Sequence, residues 1–540
     1  MKSELTGWLH AQTNDPEILH WTSDLLQTLC AVDTSISSDL ENLRSSEERC
    51  FNICQNYLDP ANTATMRKLP VDGTAIKEDM DYTIPYYAGP LRESPEKVYH
   101  GRSNLVISNC PNNTGRRWIL NAHMDTVAPY IPPKMHESSL VYGRGTADNK
   151  GGVTVAMLVW RLLHKAAALG IVSTIPTLDL LFVIDEEAGG NGSLSAIRHL
   201  QADSKSPVIV LEPTNLIPYP ANRGALWFSL ELTAKSESSR DVLLLAASQM
   251  ITAIVEAGKD IKTSSKHALF SENDVQTCFG ILGSHGHHPS SACTYVDIRT
   301  HCPQNSSLAE NLPQLVRSSF KKAVDSGKII HHTNDPVVEP VCEGSAERTI
   351  RFTSEGGHMG SRTRDDDAIL KAASTIMDMH LKIQQAFYFP DRPQTLHLEG
   401  GQGFLPDFSI QAVKDRIKQA AEAGLQNFCA FSGFSGKDFH YTLTFNKLHN
   451  RAYCSDNSRA APLLAEAASE FAGKPPAELK GWQASCDARI FARKFKDVVT
   501  FGAGRLENAH QENEHVDVSE LLQAAAAIAY AISVSEGKRP

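Results

Sequence analysis

"LLFVIDEEAGGNG", running from Leu180 to Gly192, is the stretch on which the reading of this chain turns. Five apolar residues, Leu180 to Ile184, lead directly into three consecutive acids, Asp185, Glu186 and Glu187. Carboxylates at the end of a buried strand cost several kcal/mol per ion unless a cation or dense hydrogen bonding compensates. The pattern therefore predicts a buried strand whose end points acids at something worth the expense. The glycines that follow open a short helix.

Outward from this stretch, strand and helix alternate. "SNLVIS", "RWILNAH", "TLDLLFVID" and "PVIVLEP" read as apolar strands, and "GGVTVAMLVWRLLHKAAAL" reads as a helix between two of them. Uniformly apolar strands alternating with helices imply an α/β fold, with a mostly parallel sheet flanked by helices on both faces. Residues 1 to about 60 read as helical, and the next 40 or so as Pro-rich and irregular. At "NRGALWFSLELTAKS" the texture changes to half-buried strands with longer helices, and it reverts near residue 450, before the apolar strand "VVTFGAG" and a closing helix. The expected plan is a catalytic domain made of 1–222 and 453–540. An α+β lid, residues 223–452, is inserted in it, with two loosely similar halves of about 223–335 and 336–452 that suggest a duplicated ferredoxin-like module.

Bulk properties narrow the function. The chain has 540 residues, 41% of them hydrophobic, and a net charge of −10. With no Lys/Arg block, that charge argues against a nucleic-acid partner. A polar N-terminus and the lack of an apolar run of about 18 residues predict no signal peptide and no membrane association. The 11 cysteines are scattered without a C-x-x-C pair, which suits a reducing, cytoplasmic setting and excludes a thiolate metal site as the theme.

Five short segments at the ends of the expected strands carry the chemistry: "NAHMDTV" (His123, Asp125), "GRGTADNKGG" (Asp148), "IDEEAGG" (Glu186, Glu187), "VLEPTN" (Glu212) and "NAHQENEHV" (His510). Open α/β sheets build their sites at the carboxyl ends of strands. Two histidines and three acids suffice for two divalent ions that share one carboxylate. Such a pair polarises a carbonyl and acidifies water, and a free carboxylate beside it can move the proton to a leaving amine. On this reading Glu187 binds metal and Glu186 is the base.

Together these segments resemble, in order, the motifs of the zinc-dependent aminoacylase/carboxypeptidase family that includes acetylornithine deacetylase, succinyl-diaminopimelate desuccinylase and several dipeptidases. The resemblance implies that His123, Asp148 and Glu212 hold one ion and that Asp148, Glu187 and His510 hold the other. The ions are expected to be zinc, with cobalt or manganese as substitutes. It further implies that Asp125 orients His123, that Glu186 is the general acid/base, and that the Asp148–Asn149 bond is cis.

The insert departs from the family pattern. Where relatives carry an H-S-S or H-G-S motif, this chain has "LTAKSESSRD", with Glu237 at the imidazole position. His358, in "FTSEGGHMGSRTRDDDA", occupies the same kind of strand-to-helix junction in the second half and is the expected replacement, polarising the scissile carbonyl from within one chain. The family's N-x-I-P motif is altered to "GHHPSSACTYVDIR", with Gly286 at the Asn position, while Arg299 keeps the D-x-R spacing that grips a substrate carboxylate.

The expected activity is hydrolysis of an N-acyl amino acid that keeps a free carboxylate, a deacylase, by a monomer or homodimer. A dipeptidase or carboxypeptidase of the same family is the alternative. A catalytically inactive metal-dependent binding protein is a third reading, opposed by the intact Glu186 and ligand set. A dinucleotide-binding reading of "GRGTADNKGG" fails for lack of its third glycine and of a buried strand before it.

Overall fold

Leu178–Val183, which takes in the apolar start of the deciding stretch, forms a fully buried strand in the middle of a six-stranded mixed sheet. This is a computed structural model, and it describes residues 2–58, 64–112, 115–136, 139–271, 274–289, 291–302, 307–330, 332–357, 366–445 and 447–536. The chain divides into two compact units, Met1–Asn222 with Tyr453–Pro540, and Arg223–Ala452.

The sheet of the first unit contains β1 (Thr65–Pro70), β2 (Ser103–Ser108), β3 (Trp118–His123), β4 (Leu178–Val183), β5 (Pro207–Val210) and β6 (Asp497–Thr500), in the order β1-β2-β4-β3-β5-β6. β4, β3, β5 and β6 are mutually parallel, while β2 runs antiparallel to both β1 and β4. β3, β4 and β5 are buried along their whole length, as expected of parallel strands covered on both faces. The register pairs His123 with Val183 and Asn121 with Val210. The residues that follow these three strands therefore emerge side by side at one edge. β1 is a departure from the irregular segment expected there: "TMRKLP" is exposed along most of its length, so it lacks the apolar texture that marks an interior strand.

The closing helix, Val518–Glu536, also differs from expectation. Its window Val518–Ser535 is long and apolar enough to cross a membrane, and 67% of it is buried inside the unit, where it packs as an Ala-rich core helix against Lys150–Ala168 and Ala460–Ala472.

The second unit holds two antiparallel sheets. In one, Thr277–Leu282, Thr395–Phe404, Gly224–Ala234 and Phe439–Thr444 lie in that order, backed by the helices Leu243–Ser264 and Ile410–Ser432. In the other, Val337–Pro340, Glu347–Thr353, Tyr295–His301 and Phe387–Tyr388 are backed by Ser307–Asp325 and Ala368–Ile383. Each follows the β-α-β-β-α-β sequence of a ferredoxin-like module. The modules are nested, however: the second lies wholly between the second and third strands of the first. A division at 335/336 cuts through the inner module, so the two sequential halves expected from the sequence are not the structural repeats. Faint sequence echoes report the kind of element and say nothing of which strand it pairs with.

Candidate active site

Strand ends supply most of the site. β3 ends on His123, β4 is followed after two residues by Glu186 and Glu187, and β5 is followed by Leu211 and Glu212. Asp148 precedes Asn149, the cap residue of the helix Lys150–Ala168, and His510 lies in the loop before the short strand His515–Asp517.

Asp148 joins the pieces. Its Oδ1 lies 3.0 Å from His123 Nε2, and its Oδ2 lies 3.3 Å from His510 Nε2. The His510 ring also lies 3.0 Å from Glu187 Oε1. Two donor groups result, His123–Asp148–Glu212 and Asp148–Glu187–His510, and within each the ligand atoms lie within 4.8 Å of one another. The first group is buried throughout, whereas the His510 side chain of the second is 48% exposed. The Asp148–Asn149 peptide is cis.

The electrostatics fit cations. Glu212 is buried, and its Oε1 has no hydrogen-bond partner. Burial, reinforced by the Asp148 charge, pushes its carboxyl well above the usual range. Burial does the same to Glu186, opposed by His123 and reinforced by Asp487, Glu212 and Glu187. The neighbouring Glu187 raises His510 to about 11. Burial alone would raise Asp148, but its bonds to His123 and His510 hold it below the ordinary carboxylate value. An excess of buried carboxylate oxygens around two imidazoles, one oxygen orphaned, is the donor chemistry that a pair of divalent cations satisfies.

Asp125 lies against His123 and has a second set of partners. His123 Nδ1 lies 3.0 Å from the Asp125 backbone carbonyl and 3.5 Å from its carboxylate. The carboxylate also accepts from the backbone N–H groups of Glu186 at 3.2 Å and Glu187 at 3.0 Å. Those amides lie beyond the end of β4, so a fully buried side chain supplies their acceptor. One residue thus positions both a histidine and the base.

Asp185, first of the three acids, is spoken for. It sits at φ +61 with no exposed surface, and Arg102 donates to its Oδ1 at 2.6 Å while the Tyr87 and Tyr99 hydroxyls donate to its Oδ2. Arg102 continues to both oxygens of Glu47. This network answers the burial cost that the sequence raises for the first acid and anchors the turn carrying the other two.

Among the remaining expected residues, Arg299 belongs to the second unit. There it lies 3.7 Å from Glu347, a carboxylate that also accepts from the Tyr388 hydroxyl. His358 lies outside the described residues. Glu237 is the first residue of a short helix capped by Ser236 and is open to solvent. Gly286 stands at φ +82, where an added Cβ would meet the Gly280 carbonyl oxygen at 1.9 Å. An asparagine is therefore sterically barred from that position.

Two residues near the site are missed by sequence reasoning. Asp487, in "SCDARIF", is buried with both carboxylate oxygens lacking a hydrogen-bond partner, and burial raises it to about 6. It lies so close to Gly190 that a Cβ there would come within 2.2 Å of its Oδ1. Glu514, in "NAHQENEHV", is wholly buried beneath the Asp148 loop. Asp487 lies in "GWQASCDARIF", which resembles the family's Gly-rich S-D-A-R loop, and Glu514 in the last of the five segments; neither pattern reveals what the side chain touches.

Comparison with known proteins bears on the family and the fold. The family model described as peptidase family M20/M25/M40 matches residues 119–533. A probable carboxypeptidase of Aspergillus fumigatus is 32% identical over 177 residues, covering 30% of this chain and 37% of the relative. One of Aspergillus niger is 30% identical over 229 residues, covering 38% and 51%. The chain thus spans about a third to a half of the length of these curated relatives. Human carnosine dipeptidase 1 shares the fold at 11% identity, with 98% of this chain and 99% of that one covered and a TM-score of 0.53. The dipeptidase Dug1p of Saccharomyces cerevisiae does so at 13% identity, with full coverage of both and a TM-score of 0.55.

Proposed function

This chain belongs to peptidase family M20/M25/M40, and from that premise we propose that it is a dinuclear, zinc-dependent hydrolase of amide bonds whose amine-side residue keeps a free carboxylate. Peptides trimmed at the C-terminus, dipeptides and N-acyl amino acids all present that bond. The names of the curated relatives favour the carboxypeptidase side of this range.

One observation carries the reading: the two oxygens of Asp148 face two different imidazoles, His123 and His510. His123, Asp148 and Glu212 would hold one ion, and Asp148, Glu187 and His510 the other. Two divalent ions held in this way supply Lewis-acid polarisation of a carbonyl and acidification of water.

The protein's own groups do the rest. Glu186 approaches the His123 ring at 3.9 Å and keeps a carboxylate free of the ligand groups, in place to take a proton from water and deliver it to the departing nitrogen. Asp125 holds the Glu186 and Glu187 amides, so base and ligand move as one piece. Burial of the His123 group keeps bulk water from competing for these charges. Arg299 would grip the substrate carboxylate, and His358 would steady the oxyanion.

The test is mass-spectrometric screening of zinc-loaded protein against C-terminally free peptides, dipeptides and N-acyl amino acids, with their C-terminal amides as controls. Cleavage of free acids, spared in the amides and lost in Glu186→Ala, is the expected outcome. Equal turnover of acids and amides would remove the carboxylate requirement, and no turnover of any member would favour a metal-dependent binding protein.

A further inference from the structure

We infer that Glu514 and Arg144 form a positioning clamp that holds the Asp148 and His510 loops in register and so builds the solvent-open half of the metal centre. The inference rests on the dinuclear reading above.

The clamp is a concentrated set of bonds between segments 366 positions apart. Glu514 Oε1 accepts from three backbone amides, Gly145 at 3.0 Å, Ala147 at 3.1 Å and Asp148 at 3.0 Å. Its Oε2 accepts from Arg144 Nη1 at 2.6 Å. Arg144 in turn reaches back to the carbonyls of Gln511 at 3.3 Å and His510 at 3.5 Å. Glu514 has no exposed surface and Arg144 has 2%.

Each bond answers a local need. Gly145, Ala147 and Asp148 are buried residues whose amides converge on one oxygen, and buried amides require an acceptor. A carboxylate in that place fixes the shape of the loop and with it the direction of Asp148. His510 stands at φ +64, a backbone region that residues other than glycine seldom adopt, and the guanidinium bonds to its carbonyl. The same two segments are zipped just beyond the clamp, where His515–Asp517 pairs antiparallel with Leu140–Tyr142 and the Gly143 amide donates to the Glu514 carbonyl at 2.9 Å.

The consequence is selective. His123 and Glu212 stand at or just past the ends of β3 and β5 and do not depend on this clamp. In the other donor group both Asp148 and His510 depend on it. Asp148 is shared, so the open group loses the placement of two ligands and the buried group of one. Loss of the clamp should therefore weaken the Asp148–Glu187–His510 group more than the His123–Asp148–Glu212 group.

The experiment is titration of metal-stripped, full-length protein with Co²⁺, followed by calorimetry and visible absorption. Wild type is expected to take up two ions, and His510→Ala identifies which step belongs to the open group. Glu514→Gln should weaken that step about 10- to 100-fold, the usual effect of losing a group that orients a ligand, and weaken the other step by clearly less. General loosening of the fold would weaken both steps alike, and that result, or no change in either, overturns the clamp. If circular dichroism shows Glu514→Gln unfolded, Arg144→Lys carries the test: it keeps a cation for Glu514 but cannot bridge to both carbonyls, and the same selective weakening is expected. Wild type that binds a single ion overturns the dinuclear reading and the clamp's selectivity with it. Wild type that binds two, with variants losing both steps equally, overturns the clamp alone.

Discussion

Two sets of acids share the carboxyl edge of the catalytic sheet, and their surroundings are opposite. Asp125, Asp185 and Glu514 each spend both oxygens on amide, guanidinium or phenol donors. Asp148 and Glu187 meet imidazoles, and Glu212 buries an oxygen with no donor at all. The first set behaves as scaffold, with its burial cost met inside the protein. In the second set that cost is met only when cations bind, so the site's stability and its chemistry are coupled.

The largest effect that tests this contrast is metal removal. Chelation should abolish hydrolysis, and added zinc or cobalt should restore it, measured as initial rates on whichever substrate the screen identifies. Next comes Glu186→Gln, which should lower kcat by about 10²–10⁴-fold while two ions still bind, a combination that separates base from ligand. On the scaffold side, Arg102→Met leaves Glu47 and Asp185 buried without their cation. It should cost about 3–5 kcal/mol of unfolding free energy in urea denaturation of the metal-free protein. Glu212→Gln is the converse: it removes a buried carboxyl with an unpartnered oxygen, so the metal-free protein should be no less stable than wild type although the buried group loses its ion. A metal-free protein strongly destabilised by Glu212→Gln would break the distinction between the two sets. The smallest effect concerns protons. His510 is held protonated up to about 11 without metal, and it must deprotonate to bind an ion. Metal uptake near neutrality should therefore release protons and weaken as the pH falls, read by calorimetry in buffers of different ionisation enthalpy.

The insert supplies a second contrast. In the catalytic unit the motif residues found by reading the chain come together, whereas in the insert the family motifs are displaced by local structure. Glu237 begins a capped helix, and Gly286 occupies a turn that excludes a Cβ. Arg299 faces Glu347. If His358 takes the oxyanion role, His358→Ala should reduce kcat about 10²–10³-fold; near-wild-type turnover would discard that role.

Much of the site was legible because its signals are local. An apolar run ending in Asp185, Glu186 and Glu187, a His two residues before an Asp, and a Glu just past "PVIVL" are each visible in a window of a few residues. They survive any uncertainty about topology, since a parallel sheet gathers strand ends at one edge. β1 was not legible, because an exposed edge strand carries little apolar pattern. Nor was the nesting of the insert's modules, because strand order is not encoded in strand composition.

The amino-acid order alone determined the chemistry on offer: two histidines, a set of acids and the apolar strands that present them. Only the tertiary structure decided which acids are scaffold and which are ligands. It joined Asp185 to Arg102 across 83 positions and Glu514 to Asp148 across 366, and gave the Asp125 carboxylate two amides to hold beside His123. A carboxylate is the same group in every sequence context; its role is set by the donors that folding brings within about 3 Å.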